Sequence, residues 1–134
     1  MPLVRIDLLK GKSADYRATV SRVIHAAMVE TINVPKNDRF QLISAYTPGM
    51  MLIDPTFPDV RRTPEASIVE ILFLEGRTVE QKRDLFRRIA ERAMQAGFAG
   101  DDIMVTLTEN APTDWSVGYG RCYGDQHAPQ AIDA

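Results

Sequence analysis

The start of the chain alternates between apolar and polar positions. Single polar residues separate Val4, Ile6 and Leu8, and this period of two predicts a strand over residues 3–9 with one apolar face. A second strand is predicted over residues 40–46, which are rich in apolar and aromatic side chains.

Between these two strands the apolar residues recur at intervals of three and four, as on one face of a helix. The pattern begins after Gly11 and Ser13. Pro35 ends it, because proline cannot continue the hydrogen bonds of a helix. We therefore expect one long helix whose buried stripe contains Tyr16, Val20, Val23, Ile24, Ala27, Met28 and Ile32.

Residues 47–64 break the regular patterns. They contain four prolines, one glycine and the pair Arg61-Arg62, a composition typical of turns and loops. We predict a connecting segment here, with a short hairpin around residues 50–53.

The same order of patterns then returns. Residues 67–74 predict a strand, and Thr78 with Gln81 three positions later predicts the capping box of a second helix. The apolar stripe of this helix contains Leu85, Phe86, Ile89, Ala93 and Met94, and a last strand alternates at Ile103, Val105 and Leu107.

Two β-α-β units, at about residues 2–46 and 67–109, are therefore predicted within a single domain that spans residues 1–134. The predicted fold class is α+β, with one mixed sheet and two helices on one face. The other face would need a partner, which favours an oligomer. For the tail, residues 121–134, we expect contact with a neighbouring subunit or mobility. The same order of elements would also fit a ferredoxin-like binding module.

Composition and charge narrow the class of protein. The 134 residues are 45% hydrophobic and 25% charged, as in an ordinary globular domain. A formal net charge of −2 argues against nucleic-acid binding, which needs a basic excess. The single cysteine, Cys122, excludes an internal disulfide and a cysteine-rich metal site. Because no apolar run would span a membrane and no secretory signal is evident, we expect a cytoplasmic protein without bound metal or membrane.

Pro2 is the first candidate for chemistry. Methionine before proline is normally removed, which would leave Pro2 with a free secondary amine. Such an amine is a base, and it is also a nucleophile that can form an iminium. Neighbouring anions would keep it protonated as an acid, whereas burial and neighbouring cations would favour the neutral base.

The other candidates have competing structural interpretations. Arg77 follows a strand and precedes a helix, where it could bind a carboxylate, but a surface arginine fits the spacing equally well. Asp38 could simply pair with Arg39 in a loop. Trp115 follows a turn-rich stretch and could form a pocket wall. His25 is expected to be a packed or solvent-facing histidine rather than a ligand.

Four sequence blocks, taken in order, resemble malonate semialdehyde decarboxylases and their close homologues in the tautomerase superfamily. The resemblance runs from Pro2 to about Gly120. The blocks are Met1-Pro2-Leu3, Val34-Pro35 with Asn37-Asp38-Arg39-Phe40-Gln41, Gly76-Arg77-Thr78 with Glu80-Gln81-Lys82, and Glu109-Asn110 with Asp114-Trp115-Ser116 and Gly118.

This resemblance implies a homotrimer of tautomerase-like protomers that acts on a small carboxylate substrate without a cofactor. It also implies roles for four residues. Pro2 would be the catalytic N-terminal proline, Asp38 the acid that assists it, Arg77 the arginine that binds the substrate carboxylate, and Trp115 the aromatic wall of the pocket.

Three positions depart from the pattern and are kept as further site candidates. Glu75 lies where some decarboxylases carry a second arginine, two residues before the match to Arg77. Val117 and Tyr119 lie where close relatives tend to have phenylalanines, which bears on the shape of the pocket.

The resemblance leads to one main hypothesis about function, the decarboxylation of malonate semialdehyde or a similar 3-oxo acid. Within the superfamily, the alternative is keto-enol tautomerisation of a phenylpyruvate or 2-hydroxymuconate type of substrate. Outside it, the alternative is a non-catalytic binding protein that keeps the fold.

Overall fold

A four-stranded sheet and two long helices make up most of the structure, a computed structural model that describes residues 1–127. Two short 3-10 helices, Gly100–Asp102 and Pro112–Asp114, flank the last strand. In chain order the main elements are β1 (Pro2–Leu9), α1 (Ala14–Thr31), β2 (Gln41–Tyr46), β3 (Ser67–Leu74), α2 (Val79–Gln95), β4 (Ile103–Asn110) and α3 (Tyr123–Gln126).

The strands lie in the order β2-β1-β3-β4. Each β-α-β unit contributes a parallel pair, β1 with β2 and β3 with β4, because the crossover helix brings the chain back to the same end of the sheet before the second strand begins. The two units join through β1 and β3, which are antiparallel and pair Pro2 with Phe73 and Val4 with Ile71. The mixed sheet confirms the predicted α+β fold class.

The core lies between the sheet and the two helices. Alternate residues of the central strands point into it, and Val4, Ile6, Val69 and Ile71 are completely buried. No helix within residues 1–127 covers the opposite face. There, side chains that include Leu3, Arg5 and Leu72 border a shallow cavity of about 190 Å³. One sheet face is therefore open in the single chain, as the sequence predicts.

Both long helices begin at side-chain caps. The Ser13 hydroxyl accepts the Tyr16 backbone N–H at 3.0 Å. Thr78 and Gln81 form the predicted capping box, with reciprocal hydrogen bonds of 2.9 and 3.1 Å. The first helix ends at Thr31, before Pro35, because Asn33 takes a left-handed conformation with φ of 59°.

Three expectations need correction or restriction. The hairpin expected around residues 50–53 is wrong, since the described chain between β2 and β3 forms turns and bends only. Phe86 and Met94 are 40% and 54% exposed, because the buried stripe of α2 is narrower than predicted. The tail prediction falls partly on residues 128–134, outside the described residues, although residues 123–126 form the short helix α3.

Candidate active site

Four chain segments meet at one edge of the sheet. Because β1 is antiparallel to β3, the start of β1 lies beside the end of β3, where Pro2 pairs with Phe73. Because β4 is parallel to β3, its last residue, Asn110, lies at the same edge. The start of β2 pairs with Val4, which brings the preceding Asp38 turn there as well. The topology therefore gathers residues that are far apart in sequence.

Asp38 lies against the N-terminus of the chain. Its Oδ2 atom is 2.7 Å from the ammonium nitrogen of Met1, and the Met1 and Asp38 side chains are only 14% and 15% exposed. The other carboxylate oxygen, Oδ1, is buried and has no hydrogen-bond partner among residues 1–127. Pro2 itself is buried. The Asp38 carboxylate thus contacts the N-terminal ammonium and, among the described residues, still has one oxygen free to accept a hydrogen bond.

Arg77 is half-buried and lies close enough to Asp38 for their charges to interact. Its Nη1 donates to the carbonyl of Leu74 at 3.1 Å and its Nη2 to the carbonyl of Ile32 at 3.0 Å, while the guanidinium lies 5.5 Å from the centre of the Phe73 ring. Burial lowers the pKa of Arg77, and the negative charges of Glu109 and Asp38 oppose that shift. Asp38 and Arg77 therefore act on each other electrostatically within one site.

The turn that carries Arg77 is braced by Glu109. Its Oε2 accepts the backbone N–H of Gly76 at 3.2 Å, and its Oε1 lies 2.5 Å from the Lys82 ammonium. The hydrogen bond from Lys82 holds the pKa of Glu109 below its ordinary value. Gly76 has φ of 115°, a conformation that glycine adopts without strain. These contacts hold the turn between β3 and α2 and so position the backbone of Arg77.

Glu109 and Lys82 are positioning contacts that the sequence analysis did not assign. A usable signal was present, because Glu109 continues the alternation of Ile103, Val105 and Leu107 toward the helices. An acid at the end of an inward-facing series indicates a specific partner on the covering helix.

Trp115 lies at the same edge, just beyond β4. Its indole N–H donates to Asn110 Oδ1 at 2.6 Å, and the ring is half-buried. Val117 and Tyr119, by contrast, are 58% and 96% exposed in the single chain. The Glu75 side chain is also exposed, although its backbone N–H donates to the Asn110 carbonyl at 2.8 Å. The structure thus brings Pro2, Asp38 and Arg77 together, and it leaves Val117, Tyr119 and the Glu75 side chain pointing outward.

Family models and known relatives match most of this chain. A family model described as a tautomerase enzyme matches residues 38–118, and a second with that description matches residues 2–61. The probable tautomerase YusQ of Bacillus subtilis (strain 168) is 39% identical over 122 residues, which cover 90% of this chain and 96% of YusQ. The chain belongs to the tautomerase family. It is accordingly an enzyme of the tautomerase superfamily.

Solved structures of tautomerase-superfamily proteins have the same architecture. FG41 malonate semialdehyde decarboxylase, inhibited by 3-bromopropiolate, is 34% identical with a TM-score of 0.86, and the match covers 96% of this chain and 99% of that one. A fused 4-OT symmetric trimer, 20% identical with a TM-score of 0.71, covers 90% of this chain and 95% of its own and shares the fold. The tautomerase fold is thereby established for this chain.

Two further observations concern possible metal sites and membrane-spanning helices. Within residues 1–127, no three His, Cys, Asp or Glu side chains come together as they would to hold a metal ion. None of the helices in that part of the chain is long and apolar enough to cross a bilayer.

Proposed function

We propose that this enzyme decarboxylates malonate semialdehyde or a similar small 3-oxo acid with the secondary amine of Pro2, exposed by removal of Met1. The observation that carries the proposal is the 2.7 Å contact between Asp38 and the ammonium of Met1, the residue directly before Pro2, with the Arg77 guanidinium close enough to interact with Asp38. After removal of Met1, the ammonium of Pro2 would take its place beside Asp38. An amine, an acid and a cation are the groups that this reaction needs in one place.

The proposed role of Asp38 is to keep the amine charged. A carboxylate in direct contact with an amine stabilises the ammonium form, because the two opposite charges attract in a partly desolvated site. A protonated Pro2 can donate a hydrogen bond to the carbonyl oxygen of the substrate and polarise that bond. It is poorly suited to removing a proton from carbon, which favours decarboxylation over tautomerisation.

The proposed role of Arg77 is to hold the substrate carboxylate. A guanidinium has five N–H donors, and the two bonds to the Leu74 and Ile32 carbonyls use one each. Those bonds fix the plane of the group, so the remaining donors can receive a carboxylate with little loss of side-chain entropy. Trp115, held by Asn110, would close the pocket on one side.

The electron flow in the reaction is simple. The bond between the carboxylate carbon and C2 breaks, carbon dioxide leaves, and the electron pair forms the carbon–carbon double bond of an enol. The carbonyl oxygen takes the proton of the Pro2 ammonium as that enol forms. A proton from solvent then adds to the enol at carbon while the enol O–H proton returns to the Pro2 amine, which gives the aldehyde and restores the ammonium. An iminium formed between Pro2 and the aldehyde would accept the same electron pair, and borohydride trapping distinguishes the two routes.

Keto-enol tautomerisation is the second candidate. It is supported by the relative named a probable tautomerase, which matches over nearly its whole length. In this case the neutral amine of Pro2 would remove a proton beside the carbonyl and return it at another atom. The charge on the Pro2 amine therefore separates the two candidates.

A panel of measurements tests the proposal. Intact mass establishes whether Met1 is removed, nitrogen NMR titrates the Pro2 amine, and kinetics compare malonate semialdehyde with phenylpyruvate and 2-hydroxymuconate. We expect a mass without Met1, an amine that stays protonated through neutral pH, and release of carbon dioxide from malonate semialdehyde. A near-neutral amine pKa with fast phenylpyruvate enolisation and no carbon dioxide release would leave a tautomerase instead.

We also propose that three copies of the chain assemble through the open face of the sheet. That face carries partly exposed apolar residues, among them Leu3 and Leu72, which burial against neighbouring copies would stabilise. Sedimentation equilibrium should give three times the 15.0 kDa chain mass at micromolar protein. A stable monomer at that concentration would refute this assembly.

A further inference from the structure

His25 is a buried histidine on α1 that the mechanism above does not use. It is only 9% exposed. Its Nε2 atom lies 2.8 Å from the backbone carbonyl oxygen of Lys36, two residues before Asp38. The other ring nitrogen, Nδ1, is buried without a hydrogen-bond partner among residues 1–127.

These two environments fix the tautomer of the ring. A carbonyl oxygen only accepts hydrogen bonds, so Nε2 must carry the proton that it donates to Lys36. A proton on Nδ1 would face a buried space with no acceptor, which costs more than a bare nitrogen there. His25 therefore donates through Nε2 to one backbone atom.

The bonded carbonyl belongs to the turn that carries Asp38. Within that turn the backbone N–H of Asp38 donates to the Pro35 carbonyl at 3.0 Å. Displacement of the Lys36 carbonyl would therefore move the backbone of Asp38. His25 holds the turn on the side that precedes the carboxylate.

A second contact from α1 holds the side that follows the carboxylate. Ser21 lies one helical turn before His25, on the same face of α1. Its hydroxyl accepts a hydrogen bond from Arg39 Nη2 at 2.6 Å and donates one to the side-chain oxygen of Gln41. The backbone carbonyl of Ser21 accepts the Gln41 amide at 3.1 Å. Two neighbouring polar side chains of α1 thus hold the segment on either side of Asp38.

The carboxylate itself has few other restraints. Among the described residues, its Oδ2 bonds the Met1 ammonium, which the Pro2 amine would replace once Met1 is removed, and its Oδ1 has no partner. The distance between acid and amine therefore depends on where the backbone places Asp38. We propose that His25 is a positioning residue for Asp38, acting through the Lys36 carbonyl to set the contact between that carboxylate and the N-terminal amine. The proposal rests on the role given above to Asp38 and the Pro2 amine.

Two substitutions at His25 form a matched pair. In His25→Gln the side-chain amide nitrogen can occupy the place of Nε2 and donate to the Lys36 carbonyl. In His25→Asn the amide is one carbon shorter and lies near the place of Nδ1, so the bond is lost. Val23→Ala is the control, because it removes buried volume from α1 at a side chain that is 4% exposed and apolar.

We expect His25→Asn to lower kcat by up to about tenfold, because a small misplacement of a reacting group slows the reaction and a residue that acts through Asp38 should not cost more than the loss of the Asp38 charge. It should also lower the pKa of the N-terminal amine in the nitrogen NMR titration. His25→Gln should restore both quantities toward their original values. Val23→Ala should lower the melting temperature without moving either quantity.

Combination with Asp38→Asn makes the test specific. If His25 acts through Asp38, His25→Asn should have no further effect on kcat or on the amine titration in the Asp38→Asn background. An equal effect in both backgrounds, or an amine titration unchanged by His25→Asn alone, would overturn the proposal. The titration needs no substrate, so it remains decisive even if the decarboxylase assignment fails.

Discussion

A buried carboxylate and a partly buried one lie at opposite edges of the sheet and are bonded in different ways. Asp102, beside the start of β4, is 2% exposed, and its oxygens accept the backbone N–H and the hydroxyl of Thr63 at 2.7 and 2.6 Å. Asp38, at the other edge, bonds the N-terminal ammonium through one oxygen and buries the other without a partner in the described residues.

This difference separates a structural acid from an acid available for chemistry. Burial of a polar group is costly unless hydrogen bonds replace those lost to water. Asp102 recovers that cost within the folded chain and fastens the long segment between β2 and β3. Asp38 keeps acceptor capacity that residues 1–127 leave unused, as would be expected of a group that receives a proton from a substrate or an amine.

Cavity size does not make the same distinction. A cavity of about 290 Å³ lies on the Asp102 side, where Leu9, Met51 and Ala66 are among its lining residues. Its one charged lining residue, Arg62, donates to the carbonyls of Asp54 and Phe57. The described lining of that cavity contains no carboxylate, so it lacks the pairing of acid and amine found at the Asp38 edge. The candidate site is therefore identified by its charges rather than by its volume.

The largest effect is expected from a block at the N-terminus. A chain extended by residues that are not removed converts the Pro2 nitrogen to an amide, which can neither take up a proton nor form an iminium. We predict that kcat/KM falls roughly 100- to 10,000-fold, the range lost with a general acid or base. Intact mass checks the extension, and the melting temperature should be nearly unchanged. Full activity of the extended chain would remove Pro2 from the mechanism.

The next effect separates the arginines of the two edges. Arg77→Ala should lower kcat/KM roughly 10- to 150-fold, since charge-assisted hydrogen bonds contribute about 1.5–3 kcal/mol. It should also lower the melting temperature, because Arg77 bonds the carbonyls of Leu74 and Ile32. Arg62→Ala removes the same kind of carbonyl contacts at the other edge. It should therefore destabilise the fold without changing kcat/KM.

An outcome in which both arginine variants lose only stability would make Arg77 structural. The two carbonyl contacts of Arg77 are not predictable from the sequence, because they exist only where the chain after α1 meets the end of β3. The measurement therefore needs kinetics and thermal unfolding on the same preparations.

Substitution of the two acids should affect different properties, kcat for Asp38 and stability for Asp102. Asp38→Asn keeps the shape of the side chain and removes its charge, so kcat should fall about tenfold while stability changes little. Asp102→Asn replaces one of the two acceptor oxygens that face Thr63 by an amide donor, which should cost about 1–3 kcal/mol of unfolding free energy and leave kcat intact. Chemical denaturation and steady-state kinetics on both variants check the comparison. Equal stability losses would contradict it.

The fold was accessible from the sequence because its periodicities are local. Alternation in β1 and β3, and the capping box at Thr78, predict elements that the structure contains. The segment between β2 and β3 was harder, because proline-rich composition indicates turns without saying how they are fastened. Its anchor, Asp102, is distant in sequence from the Thr63 that it bonds.

The candidate site was accessible only in part. Pro2, Asp38 and Arg77 are candidates from their chemistry and position in the sequence, the family resemblance adds their expected roles, and the structure places them at one edge. The contacts of Glu109 with Gly76 and of His25 with Lys36 join residues 33 and 11 positions apart. Hydrophobic patterns carry no information about such polar pairings, which exist only once the elements have packed.

The smallest effect concerns pH and the brace beneath Arg77. The pKa of Glu109 is held below its ordinary value of 4.5, chiefly by the hydrogen bond from Lys82. A carboxylate with a depressed pKa in the folded state adds stability above its ordinary pKa, and that stability is lost as the pH falls through the depressed value. The Glu109 side chain is 31% exposed, so solvent screening should limit the effect to about 1 kcal/mol or less.

We expect Glu109→Gln to unfold at a lower temperature than the unsubstituted chain at pH values above about 5. The difference should shrink as the pH falls below 4.5, whereas Asp102→Asn, which tests the opposite edge, should remain destabilised over the same range. If the Glu109→Gln difference does not change with pH, the ion pair with Lys82 is not what stabilises the turn. The brace would then consist of the hydrogen bond to Gly76, which a glutamine oxygen can accept as well.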